Sequence, residues 1–157
     1  MRFTLLLSAF LILNSVIGLA ALPKDDDELI YIPKGTQLVN LKDINVPAGF
    51  TKIYFQNGLS TLDSGAINGN ERYCFLLLKA PSTRDRIIEK DVVILTKGTY
   101  RSATAIVELE IAQPAALFDI GCLNGPKDIE RKTTIGQFKT EISGVFEVVM
   151  PGPDPIK

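Results

Sequence analysis

The sequence predicts a mainly β domain, either an antiparallel β-sandwich or an open barrel of about seven to nine strands, with one short helix near the C-terminus. Short runs of β-branched and aromatic residues alternate with Gly, Pro and Asn through residues 29–150, which is typical of strands separated by turns. One segment near the C-terminus has apolar residues at helical spacing. The 157 residues are enough for one domain with its own core.

The strands predicted before the first Asn-Gly turn are Leu29–Ile32, Gln37–Val46 and Thr51–Gln56. In the third of these, Ile53 and Phe55 lie on one face, and Lys52 and Tyr54 lie on the other. This alternation predicts a half-buried strand. Asn57-Gly58 follows and provides a two-residue hairpin turn.

The later predicted strands are Arg72–Lys79, Asp91–Thr96, Ala105–Ile111, Leu117–Leu123 and Val145–Met150. Both faces of Arg72–Lys79 are apolar, which predicts a central strand that is covered on both sides. Lys97-Gly98 is expected to end the strand that begins at Asp91. The mixed-charge segment 79–91 contains Pro81 and is expected to be a solvated connection.

A short helix is predicted after Thr134. Thr134 and Gln137 form a capping-box pair, and Gly144 stands where the helix would end. Gly136 in its interior costs about 1 kcal/mol relative to Ala, so the helix is expected to be marginal. The apolar residues at helical spacing are Ile135, Phe138 and Ile142.

The N-terminus has the pattern of a signal peptide covering residues 1–20. Arg2 is followed by an almost wholly apolar stretch, and the small residue Ala20 fits a cleavage site before Ala21. An uncleaved membrane anchor is the alternative, since the stretch is about 20 residues long. Residues 21–28 are expected to form an acidic, disordered leader, and residues 151–157 a Pro-rich tail. We therefore expect a periplasmic or secreted protein.

The two cysteines, Cys74 and Cys122, are predicted to form a disulfide. In an oxidising compartment, two cysteines in one domain usually pair. A redox pair usually has the Cys-x-x-Cys spacing, which is absent here. Both cysteines fall on apolar faces of predicted strands, as an interior bridge requires.

Composition argues against most enzyme classes. The chain has no His, and the common nucleophilic triads and most zinc sites need imidazole or several thiolates. Lys and Arg total 17 against 18 Asp and Glu, so there is no basic field for nucleic acid. We expect a non-catalytic binding module with no cofactor and no metal site. It would meet the membrane only through its transient signal peptide.

The expected partner is another envelope or extracellular protein, and the candidate interaction surface includes Tyr54 and Tyr100, because tyrosine is enriched at interfaces. An inhibitor of an envelope or host hydrolase is an alternative. A carbohydrate-active enzyme would use Glu108 and Glu110, two carboxylates on one strand face. Calcium binding by the polar loop 63–71 is left open, although the loop lacks regularly spaced acids.

Three turn and strand segments resemble those of uncharacterised small exported proteins of Gram-negative bacteria. They are Lys34–Val39, Ile44–Gly49 and Ile53–Gly58. In that group a turn precedes a strand cysteine, here Cys74, and a second cysteine, here Cys122, precedes a short segment like 134–148. The resemblance implies export, a disulfide and a single β domain, and it implies no activity.

Overall fold

The computed structural model describes residues 22–78, 80–89, 92–101, 106–113, 118–126 and 132–152. The first five strands are β1 (Gln37–Asn40), β2 (Ile44–Val46), β3 (Lys52–Gln56), β4 (Leu59–Thr61) and β5 (Tyr73–Leu78). The others are β6 (Arg86–Ile88), β7 (Val92–Arg101), β8 (Ile106–Gln113), β9 (Phe118–Leu123) and β10 (Phe146–Val149). The α-helix is α1 (Ile135–Ile142), and single 3₁₀ turns span Leu29–Tyr31 and Ser64–Ala66.

Eight strands form one antiparallel sheet in the order β10-β1-β7-β8-β9-β5-β3-β4, and β2 pairs with β6 in a separate ribbon. The predicted mainly β, antiparallel class with one short C-terminal helix is confirmed. The predicted architectures are a β-sandwich or an open barrel; among the described residues the eight-stranded sheet does not close, and its edge strands are β10 and β4.

The sheet is strongly curved, and its inner side encloses the core. Phe55 on β3 lies against Phe146 on β10, and α1 contacts β10 as well as β3, β4 and β5. The helix therefore fills the space where the two ends of the curved sheet approach each other. The largest fully buried side chains are Phe55, Phe138, Phe146, Leu29, Leu38, Ile53, Leu76, Leu95, Leu109, Ile120 and Ile135.

Two of the early predicted strands are wrong in detail. Leu29–Ile32 contains a 3₁₀ turn instead of a strand. The predicted strand Gln37–Val46 is divided into β1 and β2, which belong to different sheets. In a continuous strand, Lys42 would face the core together with Leu38 and Ile44. The chain breaks there because burying an unpaired ammonium is costly.

The strand predicted to end at Lys97-Gly98 instead continues to Arg101 as part of β7. Gly98 is needed there for a close approach, because a Cβ would lie 2.6 Å from the Cα of Ile30. The segment predicted to be a solvated connection contains β6, which pairs with β2 through Asn45 opposite Ile87.

The helix and its capping box form as predicted, since the Thr134 hydroxyl accepts from the backbone N–H of Gln137 and the side-chain Oε1 of Gln137 accepts from the backbone N–H of Thr134. Residues 22–28 are the described part of the predicted acidic leader, and they contact this helix. Gly136 N–H donates to the Asp25 carbonyl at 2.8 Å, and Lys139 pairs with the Asp25 carboxylate. The leader is held because the first N–H groups of a helix need acceptors.

Candidate functional site

The outer side of β3 and β5 carries a cluster of aromatic and apolar side chains, which we call the aromatic face. On β5, Cys74 and Leu76 are fully buried in the core, so the alternate residues of that strand lie on the opposite side of the sheet. Lys52 pairs with Leu77, and Tyr54 pairs with Phe75; residues that are directly opposite share a face. The aromatic face consists of Lys52, Tyr54, Tyr73, Phe75 and Leu77.

The aromatic face is partly open to solvent. Leu77 is 38% exposed, and Leu59 on the neighbouring edge strand β4 is 75% exposed. The sequence predicts that β5 is covered on both sides; on the outer side this holds at Phe75, which is buried, but not at Leu77. β5 is central in the sheet, as predicted, but the residues that the structure describes supply no second layer over Leu77.

Phe75 is the buried floor of the aromatic face. It is only 4% exposed although it lies on the outer side of the sheet. A Cβ on Gly121 would lie 2.7 Å from the Cζ of Phe75, so the ring fills the space that the glycine leaves. Gly121 on β9 therefore leaves the room that the Phe75 ring occupies.

Tyr54 and Tyr73 form a tilted ring pair, with centroids 6.1 Å apart and an angle of 58° between planes. Both are half-buried. Burial, and to a lesser extent the neighbouring Tyr54, raises the pKa of Tyr73 above its usual value. The Tyr73 hydroxyl therefore stays protonated at physiological pH and can donate a hydrogen bond to a bound molecule.

Lys52 lies across the rings. Its Nζ is 4.0 Å from the centroid of Phe75 and 5.2 Å from the centroid of Tyr54. Burial lowers the pKa of Lys52, because removing an ammonium from water disfavours its charged form. In the part of the chain that the structure describes, these rings are its cation–π partners, and no carboxylate forms an ion pair with it.

The end of the aromatic face near Tyr73 is held by the side-chain amide of Gln56. Its Nε2 donates to the carbonyls of Asn68 and Arg72 at 3.1 and 3.0 Å, and its Oε1 accepts from Asn68 N–H at 2.9 Å. Arg72 in turn donates to Asn124 Oδ1 at 2.7 Å. These bonds fix the loop before β5 and so fix the border of the aromatic face.

Of the two predicted interaction residues, Tyr54 lies in the aromatic face, and the Tyr100 side chain is outside the described part of the chain. Tyr100 is on β7 opposite Val107, and three strands separate β7 from β3 in the sheet. Tyr73 and Leu77 are absent from the predicted interaction residues, because an apolar outer side of β5 predicts burial. Lys52 was predicted on the same face as Tyr54, but its position over Phe75 depends on the pairing of β3 with β5.

The predicted disulfide between Cys74 and Cys122 is confirmed. The two residues are directly opposite on β5 and β9, with Cα atoms 3.9 Å apart, and both are fully buried. Since Cys74 lies between Tyr73 and Phe75 in the strand, its side chain is on the inner side, below the aromatic face. The bridge therefore links the central strand of the aromatic face to its neighbour.

The other candidate sites do not gather into a constellation among the described residues. Glu108 lies opposite Gly121 and Thr99, and the Glu110 side chain is outside the described part. In the polar loop, the Asp63 carboxylate accepts from Gly65 N–H at 2.8 Å, which caps a 3₁₀ turn. No group of three His, Cys, Asp or Glu side chains that could hold a metal ion occurs in the described ranges.

No family model, curated protein or solved structure matches the chain. Within residues 22–152, as far as they are described, no helix is long and apolar enough to cross a membrane.

Proposed function

We propose that the chain is an exported, non-catalytic binding protein and that a partner protein docks on the aromatic face. One observation carries this proposal. The outer side of β5 has the apolar composition of a covered strand, yet Leu77 is exposed and no described element covers it. A solvent-facing strand in an antiparallel sheet is normally polar on its outer side.

The composition of the aromatic face favours a protein as the partner. Tyrosine and phenylalanine are enriched in protein interfaces, where they combine a large contact area with few rotatable bonds. Leu59 and Leu77 add aliphatic surface beside the rings, which suits apolar side chains of another protein. The hydroxyls of Tyr54 and Tyr73 provide polar groups that can be satisfied across an interface.

Two features support the non-catalytic part of the proposal. The chain has no His, the usual general base. On the aromatic face, the ammonium of Lys52 lies over the rings of Phe75 and Tyr54, and in the described part of the chain no Ser, Thr or Cys side chain that it could activate as a nucleophile is hydrogen-bonded to it.

Export is supported by the signal-peptide pattern of residues 1–20 and by the disulfide, because disulfides are rare in reducing compartments. The resemblance to small exported proteins of Gram-negative bacteria agrees with this. A periplasmic or secreted location would make another envelope or extracellular protein the natural partner.

Quantitative pull-down from cells that normally produce the protein tests the binding proposal. The double variant Tyr54→Ala/Tyr73→Ala should lose a co-purified protein that the parent retains. Tyr31→Ala is the matched control, since Tyr31 is an exposed tyrosine outside the aromatic face, and it should retain that protein. Equal recovery with all three proteins would contradict the proposal, provided that circular dichroism shows each to be folded.

The mass of the intact protein, measured without and then with reductant, tests export separately. The proposal predicts a chain that starts at Ala21 and gains two hydrogens on reduction. A mass that includes residues 1–20 would instead favour a retained N-terminal anchor. The binding proposal does not depend on which of these masses is found.

A further inference from the structure

We infer that the partner places an acidic side chain against Lys52, next to an apolar side chain that packs on Tyr54 and Leu77. This inference rests on the proposed binding function and goes further, because it specifies the chemistry of the partner. The bound element would be a protein segment in which Asp or Glu adjoins an apolar residue.

Among the described residues, the ammonium of Lys52 has no carboxylate partner. Lys52 is half-buried and its ammonium lies 4.0 Å from the centroid of Phe75, so the ring displaces part of its hydration. The ring faces recover some of this loss by cation–π attraction. A cation held in this environment gains most from an anion that approaches from the open side, since an interface further excludes water from the pair.

The neighbours of Lys52 determine what else must be present on the partner. Leu77 lies directly opposite Lys52, and Tyr54 follows two residues later on β3. The centroid of the Tyr54 ring is 5.2 Å from the Lys52 Nζ, and residues directly opposite on paired strands have Cβ atoms about 5 Å apart. A carboxylate alone would leave the apolar surface of Leu77 and Tyr54 exposed to water. An acidic residue next to an apolar one would pair with the ammonium and also cover that surface.

The single cation of the aromatic face argues against a polyanion. Of its five residues Lys52 alone is basic, whereas an anionic membrane or a phosphate cluster is bound by several cations. One carboxylate directed at Lys52 matches this single charge. The open surface of the sheet also cannot enclose an acyl chain as a cavity does, which disfavours a fatty acid.

Titration of the ¹⁵N-labelled protein with blocked peptides tests this inference. The probes are acetyl-Phe-Asp-Phe-amide and its isosteric analogue acetyl-Phe-Asn-Phe-amide, and the readout is the shift of backbone amides. The acidic peptide should shift amides of Lys52, Tyr54 and Leu77 and bind about tenfold more tightly than the Asn analogue, the ratio expected for one charge-assisted hydrogen bond.

Variants of the protein identify the responsible charge. Lys52→Met should abolish the difference between the two peptides while retaining weak binding of both. Lys34→Met is the matched control, because Lys34 is exposed outside the aromatic face, and it should preserve the difference. Thermal unfolding of both variants confirms that they are folded.

Three results would overturn the inference. They are equal affinity of the acidic and amide peptides, shifts confined to other parts of the sheet, and no shift up to the solubility limit of the peptides. Tight binding of decanoate in place of the acidic peptide would also overturn it and would indicate a lipid. In each case the pull-down still tests the proposed function separately. It compares the parent with the Tyr54→Ala/Tyr73→Ala variant, and Lys52 is unchanged in both proteins.

Discussion

Phe55 on β3 and Phe146 on β10 meet edge to face, with ring centroids 5.8 Å apart and 73° between their planes. Five strands separate β3 from β10 in the sheet. The contact exists because the sheet curls until its ends face each other across α1. Side-chain packing, not strand pairing, therefore joins the two ends.

This relationship predicts that the ring pair contributes strongly to stability. Phe146→Ala should lower the free energy of unfolding by about 3–5 kcal/mol, because it removes a buried ring and leaves a cavity. Val149→Ala, at a more exposed position on the same strand, should cost much less. Urea unfolding measures both values. A loss below about 1 kcal/mol for Phe146→Ala would mean that the ends of the sheet do not pack as described.

The disulfide should stabilise the fold by restricting the unfolded chain. Cys74 and Cys122 are 48 residues apart in sequence, and closing such a loop is worth about 4 kcal/mol in the chain-entropy estimate. The double variant Cys74→Ala/Cys122→Ala should unfold at a correspondingly lower urea concentration. Adding reductant should destabilise the parent but leave the double variant unchanged. An effect of reductant on the variant would contradict this explanation.

Gly98 should not tolerate a side chain, although it lies inside a strand. A Cβ would lie 2.6 Å from the backbone of Ile30, so Gly98→Ala should cost about 1–3 kcal/mol, as overpacking does in other cores. Gly69→Ala is the matched control, because its Cβ would meet no atom within 4 Å. Comparison of the two melting temperatures checks the prediction, and equal values would show that Ile30 does not pack on β7.

Glu141 on α1 should make stability depend on pH. It is only 5% exposed, and its Oε2 accepts from Asn57 N–H at 2.8 Å. Burial raises the pKa of Glu141 above its ordinary value of 4.5, and the N–H of Asn57 and the charge of Arg72 oppose this rise only in part. The charged form is therefore less favourable in the folded state than in the unfolded chain.

The sign of the effect follows from this raised pKa. The stabilising contribution of the protonated group is fully present below the unfolded pKa and is lost as the pH rises through the folded pKa. On acidification from neutral pH, the parent should therefore gain stability relative to Glu141→Gln. Urea unfolding of both proteins at a series of pH values measures the difference. A difference that falls on acidification would contradict the pKa direction.

Local signals in the sequence explain which parts of the fold were predictable. The Thr134–Gln137 capping box and the alternation of Ile53 and Phe55 are contained within short segments, and both are confirmed. Gly98 and Gly136 were interpreted as a strand end and a weak point of the helix. Their actual role is close approach to Ile30 and Asp25, which are distant in sequence.

The candidate site was only partly predictable for a related reason. Alternation placed Lys52 and Tyr54 on one face, but it could not reveal that β3 pairs with β5 and brings Tyr73 beside Tyr54. An apolar strand face also has the same pattern whether another layer of the chain or another protein covers it. The exposure of Leu77 distinguishes the two cases, and exposure is a property of the folded chain.

Site-specific photo-crosslinking in the cells that normally produce the protein tests the central claim most directly. Leu77 on the aromatic face and Ile87 on the β2–β6 ribbon, both exposed, would each be replaced by p-benzoylphenylalanine. We predict one discrete crosslinked protein from position 77, none from position 87, and loss of the adduct when Tyr54→Ala is added. Adducts of equal yield from both positions, or from position 87 alone, would contradict the assignment of the aromatic face as the binding surface.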